Sequence, residues 1–473
     1  MGYSIYTLLV DIALMSFLLF IGQFLRSKIK WLQNHYIPVS IIAGFLGLLL
    51  GPQILHVFPW SDEASSYPYL LICILFAGIF LGKGEQVKVS YILKKVGDTF
   101  FINTASEILC FGFALTLGAG LIMWLYPDVF PEIALLLPSG FAGGHGYAAA
   151  IGGALNHLLG REDAVYIGQA FATIGLLVGL LGGVACINYA AKRGATRFVK
   201  KAASLPLECR TGLLPEECRT SMGQETIHPM SMDPLAWHIC LILTATGIGY
   251  GIQKILDHFL PQLSFPLMCL TMLAGMLLQQ LMRAGHYAEY IDKKIIDRVG
   301  SCLTDYLVAF GVATIRLSVV AEFWMPILIL CVIGIVWPLC IVFLVGRKLF
   351  HNFWFERSIF IFGYLTGVVA VGITLLRIVD PQMNSETLDD FGCAYTLQSI
   401  IEVVLVAAIP GIAVSFGCLP SGVVLTLIGF FLLFLFRIGG FFSSLILLCF
   451  FLMILFCLLC GIFTLFLKTL SLF

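Results

Sequence analysis

The sequence predicts an all-α integral membrane protein: two inverted five-span repeats, each carrying a re-entrant Gly-rich segment, followed by one or two extra C-terminal spans. Three observations carry this reading. The first is composition: of 473 residues 60% are apolar and 11% charged, and the mean hydropathy is +0.99, a balance that leaves a soluble protein too little polar surface to cover itself. The second is the recurrence of apolar windows of about 20 residues, the length a helix needs to cross the hydrocarbon core. The third is the placement of the cations between those windows. Lys plus Arg and Asp plus Glu number 27 each, so net charge points to no nucleic acid or other polyanionic partner. The 15 cysteines stand mostly singly inside apolar stretches, where Cys behaves as a small hydrophobe, and no metal or redox framework is expected.

The first window, about 3–25, carries Asp11 internally and is followed, not preceded, by Arg26, Lys28 and Lys30; it reads as a retained span rather than a cleaved leader. Further spans are expected at about 37–58, 67–82, 99–126 and 164–190, then at 235–256, 265–282, 299–318, 323–346 and 392–417. The apolar tail from Ser421 to Leu467 adds one or two more. Two apolar stretches remain, Pro131 to Leu155 and Ile359 to Val379, both crowded with Gly, Ala and Thr. Non-helical backbone survives in a membrane only where protein or a cavity surrounds it, so these are expected to be re-entrant or broken helices. With both re-entrant and the N-terminus outside, the loops 26–30, 83–98, 191–234, 283–298 and 347–357 face the cytoplasm and hold 21 of the 27 cations. The opposite loops carry acids such as Asp62, Glu63, Asp128 and Glu162 but, of the cations, only Arg161 and, near a span end, Lys254. The excess of positive charge inside selects this topology.

A polar linker, 191–234, separates an N-terminal repeat, 1–190, from a C-terminal one, 235–417, with the tail 418–473 beyond. Five crossings before the linker force the second repeat to run inverted. Ile37-Pro38 with Ala43-Gly44 is echoed by Phe265-Pro266 with Ala274-Gly275, and Phe76-Ala77-Gly78-Ile79 by Phe310-Gly311-Val312-Ala313. Inverted repeats with discontinuous segments are the architecture of secondary transporters. Glu208-Cys209-Arg210 and Glu217-Cys218-Arg219 repeat within the linker and have no assigned role.

The solute-binding residues are sought in the broken segments. Gly143-Gly144-His145-Gly146 opens backbone amides and carbonyls to a solute, and amides at a broken-helix N-terminus suit an anion while unwound carbonyls suit Na⁺. The same glycines would also serve close helix packing. The second segment offers Thr366, Gly367, Thr374 and Arg377, the last with a planar fork suited to a carboxylate; its rival role is an ion pair with Asp380. Buried polar residues that would hold the coupling cation are Asn103, Glu107, Gln169, Thr173, Gln398 and Glu402. Asn103 and Glu107 share a helix face, as do Gln398 and Glu402, but spacing does not join the two pairs into one site. The cation site is expected to be spread over Thr173, the hairpin backbone and one acid.

These motifs resemble the sodium/glutamate symporters of bacteria. The resemblance is carried by Tyr36-Ile37-Pro38 with Ala43-Gly44; by Gly143-Gly144-His145-Gly146 with Ala148 and Ala149; by Phe171-Ala172-Thr173-Ile174-Gly175-Leu176 with Gly179, Gly182 and Gly183; and by the Gly-rich run from Gly363. It implies re-entrant segments entering from opposite sides, Na⁺ as coupling ion, and glutamate or a related anionic amino acid or carboxylate as the small solute. It also implies a homodimer with an elevator-like motion, set in the lipid bilayer of the bacterial cytoplasmic membrane. Tyr364 stands where the family shows a second Gly-His, the later Pro is missing, and the tail beyond Pro420 has no counterpart. A proton-coupled carrier using His145, Glu107 or Glu402 is the alternative within transport. An ion channel would need a continuous polar pore face, and an intramembrane enzyme an acid in register with His145 and Ser139; neither pattern is present in the sequence, so no enzymatic activity is expected.

Overall fold

The computed structural model describes residues 5–34, 37–82, 89–197, 211, 213–259, 267–350, 352–380 and 384–438. The expected segment after 438 and most of the first part of the linker, with its Glu-Cys-Arg at 208–210, lie outside the described residues. All regular structure among the described residues is helical: α1 (Ile5–Lys28), α2 (Val39–Leu50), α3 (Tyr67–Gly78), α4 (Val89–Phe113), α5 (Leu136–Phe141), α6 (Gly144–Leu159), α7 (Asp163–Lys192), α8 (Pro234–Phe259), α9 (Leu267–Ala284), α10 (Lys293–Ala313), α11 (Trp324–Cys340), α12 (Trp354–Val379), α13 (Thr387–Phe416) and α14 (Cys418–Ile438). A π-helical turn, Ala114–Gly118, carries α4 on into Ala119–Leu125. Among the described residues eight helices are long and apolar enough to cross a membrane; α12 is one of them, and α10, where a span was expected at 299–318, is not. Two expected spans are shorter: α2 and α3 have 12 residues each, and α2 stops where Gly51 turns extended ahead of Pro52.

The molecule is apolar outside and partly polar within, the reverse of a soluble protein. Phe20, Trp124 and Leu427 are 73%, 76% and 64% exposed, whereas Glu107 and Glu402 are 4% and 3% exposed. Only lipid makes such a surface favourable.

Helices α1, α2, α3, α8, α9 and α10 pack on one another, and α4 to α7 with α11 to α14 form a second group. The groups meet where α6 and α7 face α3 and α10: a Cβ on Gly146 would lie 2.5 Å from Ile72, and one on Gly311 would overlap the His145 ring.

Helix α7 is the spine of the second group. Its 30 residues run about 45 Å at 1.5 Å per residue. Along its first half, Val165 packs on Gly152 and Gly168 on Ala148, so α6 runs antiparallel to it. The chain turns over at Ala142-Gly143, which places Gly140 against Phe171 and Ala172, and Phe141 against Gly175. Thus α5 and α6 fold back on one another. Helix α12 does the same along the second half of α7. Its regular dihedrals fail at Gly367 and Val368, and Gly363 touches Gly372, nine positions on, which a straight helix would hold about 13 Å apart. Gly182 then lies near Phe362, Gly179 near Thr366 and Val371, and Gly183 on Leu375. The small residues of α7 let both folded-back pairs approach so closely.

Candidate functional site

The two turns meet about halfway along α7. Gly144, at φ +66°, faces Val368: a Cβ there would lie 2.6 Å from Val368 Cγ1. Gly175 sits at the same level, with the Thr366 carbonyl against the place its Cβ would take. Gly144 needs the left-handed region that only glycine enters freely. Val368 adopts φ 62°, ψ 174°, a conformation costly for any β-branched residue. Helix α6 and the second limb of α12 both begin at this meeting point, so their free N–H groups and positive dipole ends converge there.

Just behind the first turn lies a small polar cluster. His145 Nε2 is 3.1 Å from Thr173 Oγ1, Thr173 donates to the Gln169 carbonyl (3.0 Å), and Gln169 Nε2 donates to the His145 carbonyl (3.1 Å). All three residues are buried. His145 Nδ1 and Gln169 Oε1 have no partner among the described residues, and both side chains face Gly311 of α10. Buried polar atoms without partners are costly, and here they border the boundary between the two helix groups. The cluster offers a ring nitrogen, an amide oxygen, a hydroxyl and nearby unwound carbonyls, a set that suits a small solute or a monovalent cation.

A second cluster joins residues whose spacing alone did not connect them. Tyr364 Oη lies 2.7 Å from Glu107 Oε2 and 2.5 Å from Glu402 Oε1. Gln398 Nε2 reaches Glu107 Oε2 at 3.0 Å, Tyr364 Oη at 2.9 Å and Glu402 Oε1 at 3.1 Å. Tyr147 and Tyr395 each donate to Glu402 Oε2 at 3.1 Å. Four helices, α4, α6, α12 and α13, therefore converge on two buried carboxyl groups.

The six residues expected to hold the cation thus separate: Gln169 and Thr173 join His145, while Glu107, Gln398 and Glu402 form the second cluster. Asn103, buried one turn before Glu107, has neither amide atom bonded among the described residues. Of the expected solute residues, Gly143, Gly144, His145, Gly146, Thr366 and Gly367 lie at or beside the turns. Thr374 is spent on the Ala370 carbonyl at 2.9 Å. Arg377 is exposed, nine residues beyond Val368, about 13 Å along the limb. Asp380 accepts from the amides of Asn384 and Ser385 at 3.0 and 2.7 Å, and no ion pair joins it to Arg377 among the described residues. Among the described residues the buried Arg is Arg357, which bonds Asp390 Oδ2 at 2.5 Å, Thr99 Oγ1 at 2.9 Å and Asp98 Oδ2 at 3.3 Å. Ser139 donates to the Leu136 carbonyl at 3.0 Å and not to His145. The three tyrosines were not singled out from the sequence as ligands of the acids. The Tyr395, Gln398, Glu402 spacing, i, i+3, i+7 on one helix face, was the available signal.

The profile of the sodium/glutamate symporter family matches residues 5–354. No curated protein matches the chain.

Proposed function

Because the chain belongs to the sodium/glutamate symporter family, we propose that it carries glutamate or a related anionic amino acid or carboxylate together with Na⁺ across the cytoplasmic membrane of a bacterium. The observation that carries this reading is the meeting of the two turns at Gly144 and Val368. Two helix N-termini facing each other midway along α7 form an anion site without any cationic side chain, because their free amides and dipoles supply the positive field. In a low-dielectric interior that field is screened less than in water. Na⁺ is held by oxygens of Thr173, Gln169 and the unwound carbonyls around Ala142 and Gly143, so a cation and the solute carboxylate offset each other's charge as they cross.

The folded-back pairs α5–α6 and α12 are read as re-entrant segments of two inverted repeats. The placement of 21 of the 27 cations in the loops on one side supports this. Each pair occupies its own half of α7, as entry from opposite faces requires. The division into two helix groups supports an elevator-like motion in which the group containing α7 slides past the other, with Gly146 and Gly311 at the sliding surface. The same reading includes the expected homodimer. The test is uptake of labelled L-glutamate into proteoliposomes. The proposal expects accumulation under an inward Na⁺ gradient and none without Na⁺; accumulation that ignores Na⁺ overturns the coupling.

A further inference from the structure

In the Glu107–Glu402 cluster the Tyr364 hydroxyl faces one carboxyl oxygen more than its hydrogen can serve. The Tyr364 hydroxyl has a single proton, yet its oxygen lies within hydrogen-bond distance of an oxygen from each carboxyl group, at 2.7 and 2.5 Å. One of those contacts takes the Tyr364 proton, and the other needs a proton from the carboxyl side. Oxygen lone pairs facing each other at that distance are otherwise repulsive. Two carboxylates sharing one buried site do not both remain ionised when no cation balances them.

Among the described residues no cationic side chain pairs with either acid. The groups facing the pair are Tyr364 from α12, Tyr147 from α6, Tyr395 and Gln398 from α13, and Cys110 from α4. Cys269 of α9 is on the Val403 carbonyl at 3.6 Å, and α14 presents no Asp, Glu, Lys, Arg or His among its described side chains. Arg357, the buried cation described on these helices, is engaged by Asp98 and Asp390. A metal cation fits poorly, because the carboxyl oxygens are already faced by hydroxyl and amide donors, whose hydrogens a cation would meet. Among the described residues, the acceptors without partners include Gln398 Oε1 in the cluster and Asn103 Oδ1 one turn before Glu107. Both residues are fully or almost fully buried, at 0% and 1% exposure. An acceptor left open beside a carboxyl pair suits a protonated carboxyl or a water that delivers the proton.

We propose that the Glu107–Glu402 pair is a proton-binding site loaded and emptied in each transport cycle, so that a proton crosses with the solute and the sodium ion. Binding converts one carboxylate to a carboxyl group; the proton comes from the aqueous side to which the moving helix group opens and leaves on the other. Tyr147 from the first folded-back pair and Tyr364 from the second both touch the site, so its occupancy is tied to how the two pairs are arranged. The inference rests on the symporter reading above.

Two measurements on the full chain test it separately from that reading. In infrared spectra of the purified protein, the wild type is expected to show a buried protonated-carboxyl C=O band that Glu107→Gln combined with Glu402→Gln abolishes. A wild type without such a band overturns the proposal, whatever the protein transports. In liposomes with a trapped pH-sensitive dye and a clamped membrane potential, Na⁺-driven L-glutamate uptake is expected to acidify the lumen. Glu107→Gln is expected to cut net uptake at least tenfold while L-glutamate exchange persists. Na⁺-driven uptake with no lumenal pH change overturns the proton site but leaves the symporter reading standing. Absence of any Na⁺-driven uptake overturns the symporter reading, and proton transfer with it.

Discussion

Replacing Gly144 by Ala tests whether the two turns must touch. Gly144 has φ +66°, and the added Cβ would lie 2.6 Å from Val368 Cγ1. Holding an L-residue in the left-handed region costs about 1–2 kcal/mol. Forcing a methyl into a filled contact costs about 1–3 kcal/mol. Together the substitution disfavours the touching arrangement by about 2–5 kcal/mol, a fall of roughly 30-fold to a few thousand-fold in its population, since 1.4 kcal/mol is a factor of ten. Val368→Gly in the same chain removes the contact and relaxes Val368 from its own φ of 62°. Only the backbone cost of the alanine at the Gly144 position should then remain, about 5- to 30-fold. The assay is the initial rate of Na⁺-driven L-glutamate uptake, normalised to protein in the membrane. A wild-type rate in Gly144→Ala, or a double variant no better than the single one, would refute the argument that solute is held where the turns meet.

Other perturbations address the neighbouring elements. Single cysteines at Arg161 and Lys348 on a cysteine-free background should react with an impermeant thiol reagent from opposite sides of the membrane; labelling from one side removes the inverted-repeat reading. Arg357→Ala should lower stability by about 3–5 kcal/mol, because it leaves Asp390 and Asp98 facing each other without their cation; thermal unfolding in detergent measures this, and adding Asp390→Asn should recover part of it. Thr173→Val removes the hydroxyl between His145 and Gln169 and should raise half-saturating Na⁺ about 5- to 10-fold, the effect of one hydrogen bond worth about 1–1.5 kcal/mol. Arg377→Ala, at an exposed position away from the turns, should change apparent L-glutamate affinity by no more than about twofold; a loss of tenfold or more would make Arg377 a solute ligand and displace the site from the Gly144–Val368 contact.

Composition and the order of charges were enough to place this chain in lipid, because a helix in hydrocarbon must be apolar over about 20 residues and that requirement is local. The crowding of small residues was enough to mark the two segments in which helices would break, 131–155 and 359–379, because backbone freedom is also a property of single residues; the structure puts the breaks at 142–143 and 367–368. Length was less legible: α2 ends at Gly51, whereas hydropathy alone carried the span to 58. The sequence motifs pointed to the sodium/glutamate symporter family, which the match over 5–354 establishes. Only the tertiary structure could divide five of the six expected cation residues between two clusters and leave Asn103 outside both. Glu107 and Glu402 are 295 positions apart in the sequence, and helical periodicity says which residues share a face of one helix but not which faces meet. That decision lies in packing: the small residues of α7 draw both folded-back pairs together, and this brings Tyr147 and Tyr364 onto the same acid, Glu402, with Tyr364 reaching Glu107 as well. Arg377 shows the converse. Its guanidinium suits a carboxylate in any sequence, but nine residues of helix carry it away from the turn and into the open, a distance no residue type reveals.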